Sequence, residues 1–152
     1  MIKNLRFSFN PFKEGLNQVL GDLEKKIIEI LWEKGESTVR EILDSLPHDI
    51  APSYSTVITV TNRLAKKGLL GKKKVKKTFF YHTLYSKDEF YGLVSRKVVE
   101  GVSSLSPYTT MVNLVDIVAK TDPDRIEQLS RLIEEKKKLQ NLITRSEVTG
   151  QL

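Results

Sequence analysis

Seven lysines and no acidic residue lie between Lys66 and Lys77. Ammonium groups at this density suit a polyanion, because each neutralises a phosphate without demanding a fixed geometry. The formal net charge is +6 and this dozen residues carries +7, so the remainder sums to −1 and the basicity is local. The patch starts where a polar pattern ends, Ser53-Tyr-Ser-Thr-Val-Ile-Thr-Val-Thr-Asn-Arg-Leu-Ala-Lys-Lys67. Hydroxyl, amide and guanidinium groups in such a segment have the donor and acceptor chemistry that reads base edges in a DNA major groove.

Within that segment Val57, Val60, Thr61 and Leu64 recur at i, i+3, i+4 and i+7, which predicts a helix with those residues facing a core. The opposite face then presents Ser55, Thr56, Thr59, Asn62, Arg63 and Lys66, with Tyr54 at its N-terminal end. Six consecutive β-branched residues, Thr56 to Thr61, argue for a strand on propensity alone. The apolar spacing, the basic last turn and Gly68 just beyond it decide for a helix. Its start at Ser53–Ser55 offers free N–H groups to a phosphate. Thymine methyls can pack on Thr59 or Ile58, whereas Asn62 and Arg63 lie late in the helix, where phosphate contact is expected. Lys72, Lys73, Lys74, Lys76 and Lys77 supply point charges for the DNA backbone. The expected division is that the helix specifies the sequence and the lysines anchor it.

The elements that must hold this helix are legible around it. A first helix is expected from about Asp22 to Lys34, with Leu23, Ile27, Ile30 and Leu31 at helical spacing and Gly35 to end it. Thr38-x-x-Glu41 fits a capping box opening a short second helix that ends near Leu46-Pro47. The loop 48–52 leads into helix three. Leu69-Leu70 and Phe79–Leu84 read as paired strands joined across the lysine cluster by a hairpin, with Phe79, Tyr81 and Thr83 on one side and Phe80, His82 and Leu84 on the other. Helices then follow from a second capping box, Ser86-x-x-Glu89, to about Val102, over Thr109–Ala119, and from an Asp122 cap with Pro123 in its first turn through Ile143.

The fold class expected is mostly α, an N-terminal winged helix-turn-helix with a β-hairpin wing followed by a helical dimerisation region. The divisions are an N-terminal arm at 1–19, a winged-helix domain at 20–85, a helical domain at 86–145 and a frayed tail at 146–152. The apolar stripes of residues 90–143 are too extensive for so small a unit to bury alone, so a second copy is expected to cover them.

Other chemistries are poorly served. The absence of cysteine removes disulfides, thiolate metal sites and a Cys nucleophile. His48 and His82 are far apart and lack ligand spacing, so no metal is expected; His82 reads as a packed strand residue. Glu134-Glu135 and Asp122/Asp124 are surface or capping carboxylates, and no catalytic constellation or cofactor motif is present. Phe7-Ser-Phe-Asn-Pro-Phe12 is too short and broken for a signal-peptide core, and no apolar run is long enough to span a bilayer, so a cytoplasmic protein without membrane insertion is expected.

Leu20-Gly-x-Leu-Glu24, Ile30-Leu-Trp32, Gly35 and Val39-Arg-Glu-Ile42, followed by Tyr54-Ser-Thr-Val57, Thr59, Asn62-Arg-Leu64, Lys67-Gly68 and Phe79-Phe-Tyr81, resemble the penicillinase-repressor (BlaI, MecI and CopY type) winged-helix regulators over roughly residues 20–143. The resemblance implies a homodimeric repressor that binds a double-stranded DNA operator through its third helix, with the wing on phosphate. Carried over by position, the DNA-facing residues are Ser53, Tyr54, Ser55, Thr56, Thr59 and Arg63. Ile58 stands where these repressors tend to have a basic residue, which implies a different operator. Copper-responsive members carry a cysteine-rich tail that this chain lacks. β-Lactam-responsive members are cut by a membrane sensor protease at an Asn–aromatic bond; the nearest match is Asn113-Leu114, with Leu in place of the aromatic ring. The N-terminal arm extends beyond the family's usual start.

The function expected is therefore sequence-specific transcriptional repression as a homodimer. The alternative is a winged-helix protein-interaction module that places a partner's acidic surface on the lysine patch.

Overall fold

The computed structural model describes residues 5–50 and 52–150. Residues 1–4 of the expected arm, Ala51 of the expected loop and residues 151–152 of the expected tail lie outside the described residues. The chain divides into two compact units, Met1–Arg96 and Lys97–Leu152.

The first unit is a winged helix. A single 3-10 turn at Gly15–Gln18 precedes α1 (Asp22–Lys34), β1 (Ser37–Thr38), α2 (Val39–Ser45), α3 (Tyr54–Lys66), β2 (Leu70–Val75), β3 (Thr78–Thr83) and the start of α4 (Lys87–Ser103). The strands form an antiparallel sheet in the order β1-β3-β2. Ser37 and Thr38 pair with Tyr81 and Phe80, and β2 pairs with β3 from Leu70↔Thr83 to Val75↔Thr78. The core gathers one face of each helix, with Ile27, Ile42, Val57 and Leu64 fully excluded from solvent and Tyr81 and Phe90 nearly so. Leu5, Leu16, Val19 and Leu20, from the segment before α1, belong to the same core.

α3 is helical despite its β-branched run because each local cost is met. Ser53 Oγ accepts the Thr56 N–H at 3.1 Å and caps the start. The Thr61 hydroxyl, wholly buried, donates to the Val57 carbonyl at 2.7 Å, and Thr59 donates to Ser55 at 2.9 Å. At the exit Gly68 adopts φ 81, a left-handed conformation that suits glycine, and lets the Leu69 N–H reach the Leu64 carbonyl at 3.0 Å. Glu24, buried at 6% exposure, fixes this exit to the start of α1. One carboxylate oxygen accepts Lys67 Nζ at 2.6 Å and the other the Gly21 N–H at 3.0 Å. The Lys67 carbonyl in turn accepts the Arg6 N–H at 3.0 Å, holding the N-terminal segment.

Three elements differ from the sequence reading. β2 runs through Lys72, Lys73 and Lys74 to Val75, so most of the lysine cluster is strand and only Lys76-Lys77 is turn. β1 has no signal in the sequence, because two residues carry no alternation. Helix α6 continues to Thr149 where fraying is expected from Ser146, since Ser146 and Thr149 return their hydroxyls to carbonyls one turn back. The Thr38-x-x-Glu41 and Ser86-x-x-Glu89 pairs both make capping-box bonds. Trp32, within α1, donates Nε1–H to the Tyr85 carbonyl at 2.9 Å and tilts against Phe90 with ring centroids 6.0 Å apart.

Gly71, across the ladder from His82, marks a close approach: a Cβ there would lie 2.3 Å from the ring Nε2. His82 Nδ1 is buried without a hydrogen-bond partner, 3.9 Å from a Glu36 oxygen.

The second unit holds the end of α4, α5 (Pro107–Thr121) and α6 (Asp124–Thr149). Ser106 caps α5, and Asp122 Oδ1 accepts the Asp124 N–H at 3.2 Å ahead of α6. Among the described residues neither α5 nor α6 has a buried side chain. Leu105, Tyr108, Ile117, Leu132 and Leu142 are all exposed.

Two stability outcomes follow. Lys67→Met leaves the Glu24 carboxylate buried with only the Gly21 N–H, and denaturant unfolding should register a loss of about 2–3 kcal/mol; Lys73→Met, on the surface, should change stability by less than about 0.5 kcal/mol. The Thr38 N–H and hydroxyl hold the Glu41 carboxyl below its ordinary value near 4.5, and the Ser86 N–H and hydroxyl do the same for Glu89. A carboxyl lowered in the folded state contributes stability above its unfolded value and loses it as pH falls through the folded one. Unfolding midpoints should therefore drop below about pH 4.5 in the parent chain, and drop less in the Glu41→Gln, Glu89→Gln double variant.

Candidate nucleic-acid interface

No carboxylate occurs in the sequence between Asp49 and Asp88, whereas residues 50–87 carry nine lysines and arginines. α3 and the wing are both made from this stretch. Because Val57, Val60, Thr61 and Leu64 are buried, the other side of α3 faces outward. Tyr54, Ser55, Thr56, Thr59, Arg63 and Lys66 are exposed along it, together with the cap residue Ser53; Asn62 is half-buried toward the wing. The Ser53 hydroxyl lies 2.9 Å from Ser55 Oγ and 2.8 Å from Thr56 Oγ1, a small hydroxyl cluster at the helix start. With Thr59 bonded back to Ser55, its methyl group is the apolar part of this face.

The wing sorts its lysines by strand geometry. Cross-strand partners share a face, so Lys72 with Tyr81 and Lys74 with Phe79 lie on one side, and Lys73 with Phe80 on the other. Lys72 Nζ sits 4.0 Å from the Phe79 ring centroid and 5.4 Å from that of Tyr81; Lys74 Nζ sits 5.5 Å from Phe79. Such cation–π contacts contribute about 0.5–1 kcal/mol each at exposed sites. Lys76 and Lys77 form the turn, and Lys76 adopts φ 55, the left-handed region that glycine or asparagine fills at lower cost. A lysine therefore holds the tip of the hairpin against the local backbone preference.

Between α3, the start of α2 and the wing lies a groove of about 440 Å³, lined by Tyr54, Ile58 and Asn62 of α3, by Phe79 and Tyr81 of β3, and by the cations Arg40, Lys72 and Lys77. Its lining contains no carboxylate. Asn62 Oδ1 accepts the Tyr81 hydroxyl at 3.1 Å and Lys72 Nζ at 3.4 Å. The sequence-derived residues thus fall on one continuous face, but not in one role: Asn62 and Lys72 are engaged with each other, and Lys67, counted in the lysine run, is paired to Glu24. Arg40, on α2, joins this lining from outside the lysine-rich stretch and carries an exposed i,i+4 pair to Asp44 at 3.4 Å. Among the described residues no group of three or more His, Asp or Glu side chains is placed to hold a metal ion, and no helix is long and apolar enough to cross a membrane.

Residues 20–135 match the penicillinase repressor family. The chain is similar to the transcriptional regulator BlaI of Mycobacterium tuberculosis, with 31% identity over 111 residues that cover 72% of this chain and 80% of that protein. It is also similar to the methicillin resistance regulatory protein MecI of Staphylococcus aureus, with 25% identity over 119 residues, 77% of this chain and 94% of that protein. Among solved structures, the solution structure of the DNA binding domain of the repressor BlaI aligns over 51% of this chain and 93% of that one, with 23% identity and a TM-score of 0.42.

The strained tip offers a direct check. Lys76→Gly relieves the left-handed backbone while adding freedom to the unfolded chain, so thermal or denaturant unfolding should show a net gain of about 0.5–1 kcal/mol.

Proposed function

Because the chain belongs to the penicillinase repressor family, whose members are transcriptional repressors and not enzymes, we propose that it represses in the cytoplasm as a homodimer bound to a specific DNA operator. The observation that carries this reading is the carboxylate-free face made by α3 and the wing. Ser53, Tyr54, Ser55, Thr56 and Thr59 enter the major groove and read base edges and thymine methyls. Arg63, Lys66 and the wing lysines Lys73, Lys74, Lys76 and Lys77 lie on phosphate. Sequence information and anchoring are thus carried by different side chains.

The homodimer rests on the second unit. α5 and α6 leave Met111, Leu114, Ile117, Leu132, Leu139 and Ile143 each at least 45% exposed. Apolar surface on this scale marks an interaction face. A second copy covers it in a two-fold arrangement, and a two-fold protein reads a pseudo-palindromic operator whose half-sites lie a whole number of helical turns apart. A sensor protease is the further partner consistent with the family resemblance. The Asn113–Leu114 bond lies in the middle of α5, so cleavage there requires that helix to open first.

Selection of bound sites from randomised DNA should return a palindromic sequence, and no preference over competitor would favour the protein-interaction alternative. Log–log salt plots of operator binding should lose about 0.9 in slope for each of Lys73, Lys74, Lys76 and Lys77 changed to Gln, with operator and random DNA weakened alike. Thr59→Ala should instead narrow the gap between operator and random DNA by roughly three- to tenfold. Sedimentation should give twice the chain mass, with Ile117→Glu shifting the protein to monomer; a parent chain that sediments as a monomer at concentrations saturating the operator would exclude the dimer.

A further inference from the structure

We propose that Asn62, Tyr81 and Lys72 form a latch that sets the angle of the wing against α3, so that Asn62 and Lys72 position the interface and do not themselves contact DNA. This deepens the operator-binding reading and rests on it. Three elements meet at one atom: Asn62 Oδ1 of α3 accepts the Tyr81 hydroxyl of β3 at 3.1 Å and Lys72 Nζ of β2 at 3.4 Å. Tyr81 is only 2% exposed, so it lies out of reach of a nucleic acid. Lys72 is Tyr81's cross-strand partner, and its ammonium lies 4.0 Å from the Phe79 centroid, turned onto the wing itself. An amide oxygen accepts two donors through its two lone pairs, so both bonds form together.

The latch sits near the outer limit of the hairpin's support: one pair further out Phe80 still ladders with Thr38 of β1, and past that the hairpin stands free of the sheet. Beyond the Lys72↔Tyr81 pair every residue from Lys73 to Phe79 is exposed. The turn lies four residues further out, about 13 Å at strand spacing. A swing of about 10° at the latch therefore moves the turn lysines by about 2 Å, enough to exchange a direct phosphate contact for a missed one. Free hinging would leave the lysines charged and able to find phosphate, but each binding event would first have to order the wing.

These two roles separate in a salt titration, because the slope counts phosphates neutralised while the intercept carries the cost of ordering. Tyr81→Phe keeps the buried ring and removes only the hydroxyl; Lys72→Met keeps the stem and removes only the charge. The latch predicts that each weakens operator binding about fivefold with the salt slope unchanged. The double variant should be no weaker than either alone, because one broken bond frees the wing. Lys73→Met, as a control, should lower the slope by about 0.9. In the free protein, exchange of the β2–β3 amides should speed up about fivefold in Tyr81→Phe while exchange in α1 stays as in the parent. A slope drop of about 0.9 in Lys72→Met would make Lys72 a phosphate contact and overturn the proposal. So would parent-like affinity or parent-like wing exchange in Tyr81→Phe. If the parent chain prefers no DNA site, it is the operator reading that fails, and the exchange measurement still decides whether the latch exists.

Discussion

The constraint on which the first unit depends is the burial of one side of α3. Val57, Thr61 and Leu64 are fully excluded from solvent, and Val60 nearly so. Each apolar side chain removed from water in this way contributes roughly 1.5–3 kcal/mol, which outweighs the few tenths per residue by which a β-branched run disfavours helix. That burial fixes the helix's rotation about its axis. Once the rotation is fixed, the polar face has no freedom either: Ser55, Thr59 and Lys66 must point outward, and Asn62 must lean toward the wing. The surface chemistry follows from packing on the opposite side.

The lysine-rich patch looks uniform in sequence and is not uniform in space. Lys67 lies at the α3 exit with its ammonium on the buried Glu24. Lys72 lies over aromatic rings and beside Asn62. Lys73, Lys74, Lys76 and Lys77 project from the outer hairpin, and one of them occupies a backbone conformation that lysine disfavours. A surface selected only for solubility has no reason to keep a β-carbon in the left-handed region when glycine or asparagine fits better. Strain at the hairpin tip and acid-free flanks on both sides support the proposed phosphate contact of the tip.

How much of this was legible depends on how far apart in the chain the interacting groups are. The helices and both capping boxes are local features, written within four residues, and they are recovered, except that α5 starts at Pro107 under a Ser106 cap ahead of the expected Thr109, and α6 starts at Asp124 behind Pro123. The rotation of α3 is recovered for the same reason, since i, i+3, i+4 and i+7 lie on one face. The strand extent of β2 was not legible: Lys72-Lys73-Lys74 has neither alternation nor β propensity, and it is extended only because Phe79 and Tyr81 on β3 support the lysine stems from one side. The Glu24–Lys67 pair spans 43 residues and the Asn62–Tyr81 bond 19. Nothing local announces either, so the sequence does not show that Lys67 is held by Glu24 or that Asn62 and Lys72 bond to each other across α3 and β2.

The two units meet opposite ends of one energetic problem. The first has a buried core and a charged face; in the second, among the described residues, Met111, Leu114 and Ile117 of α5 and Leu132, Leu139 and Ile143 of α6 are exposed. A single winged helix neutralises only a handful of phosphates, and at physiological salt that suffices for weak, largely non-specific attachment. Joining two copies makes the second half-site contact intramolecular, with an effective concentration in the millimolar range, and multiplies affinity by orders of magnitude without any new base contact. In the proposed homodimer, covering the apolar face of α5 and α6 and tightening DNA binding are one event. Each favours the other by the same free energy, since linkage between two binding equilibria is reciprocal. In the proposed homodimer, anything that opens α5 weakens the operator complex through the dimer, with the lysines and the outward face of α3 untouched.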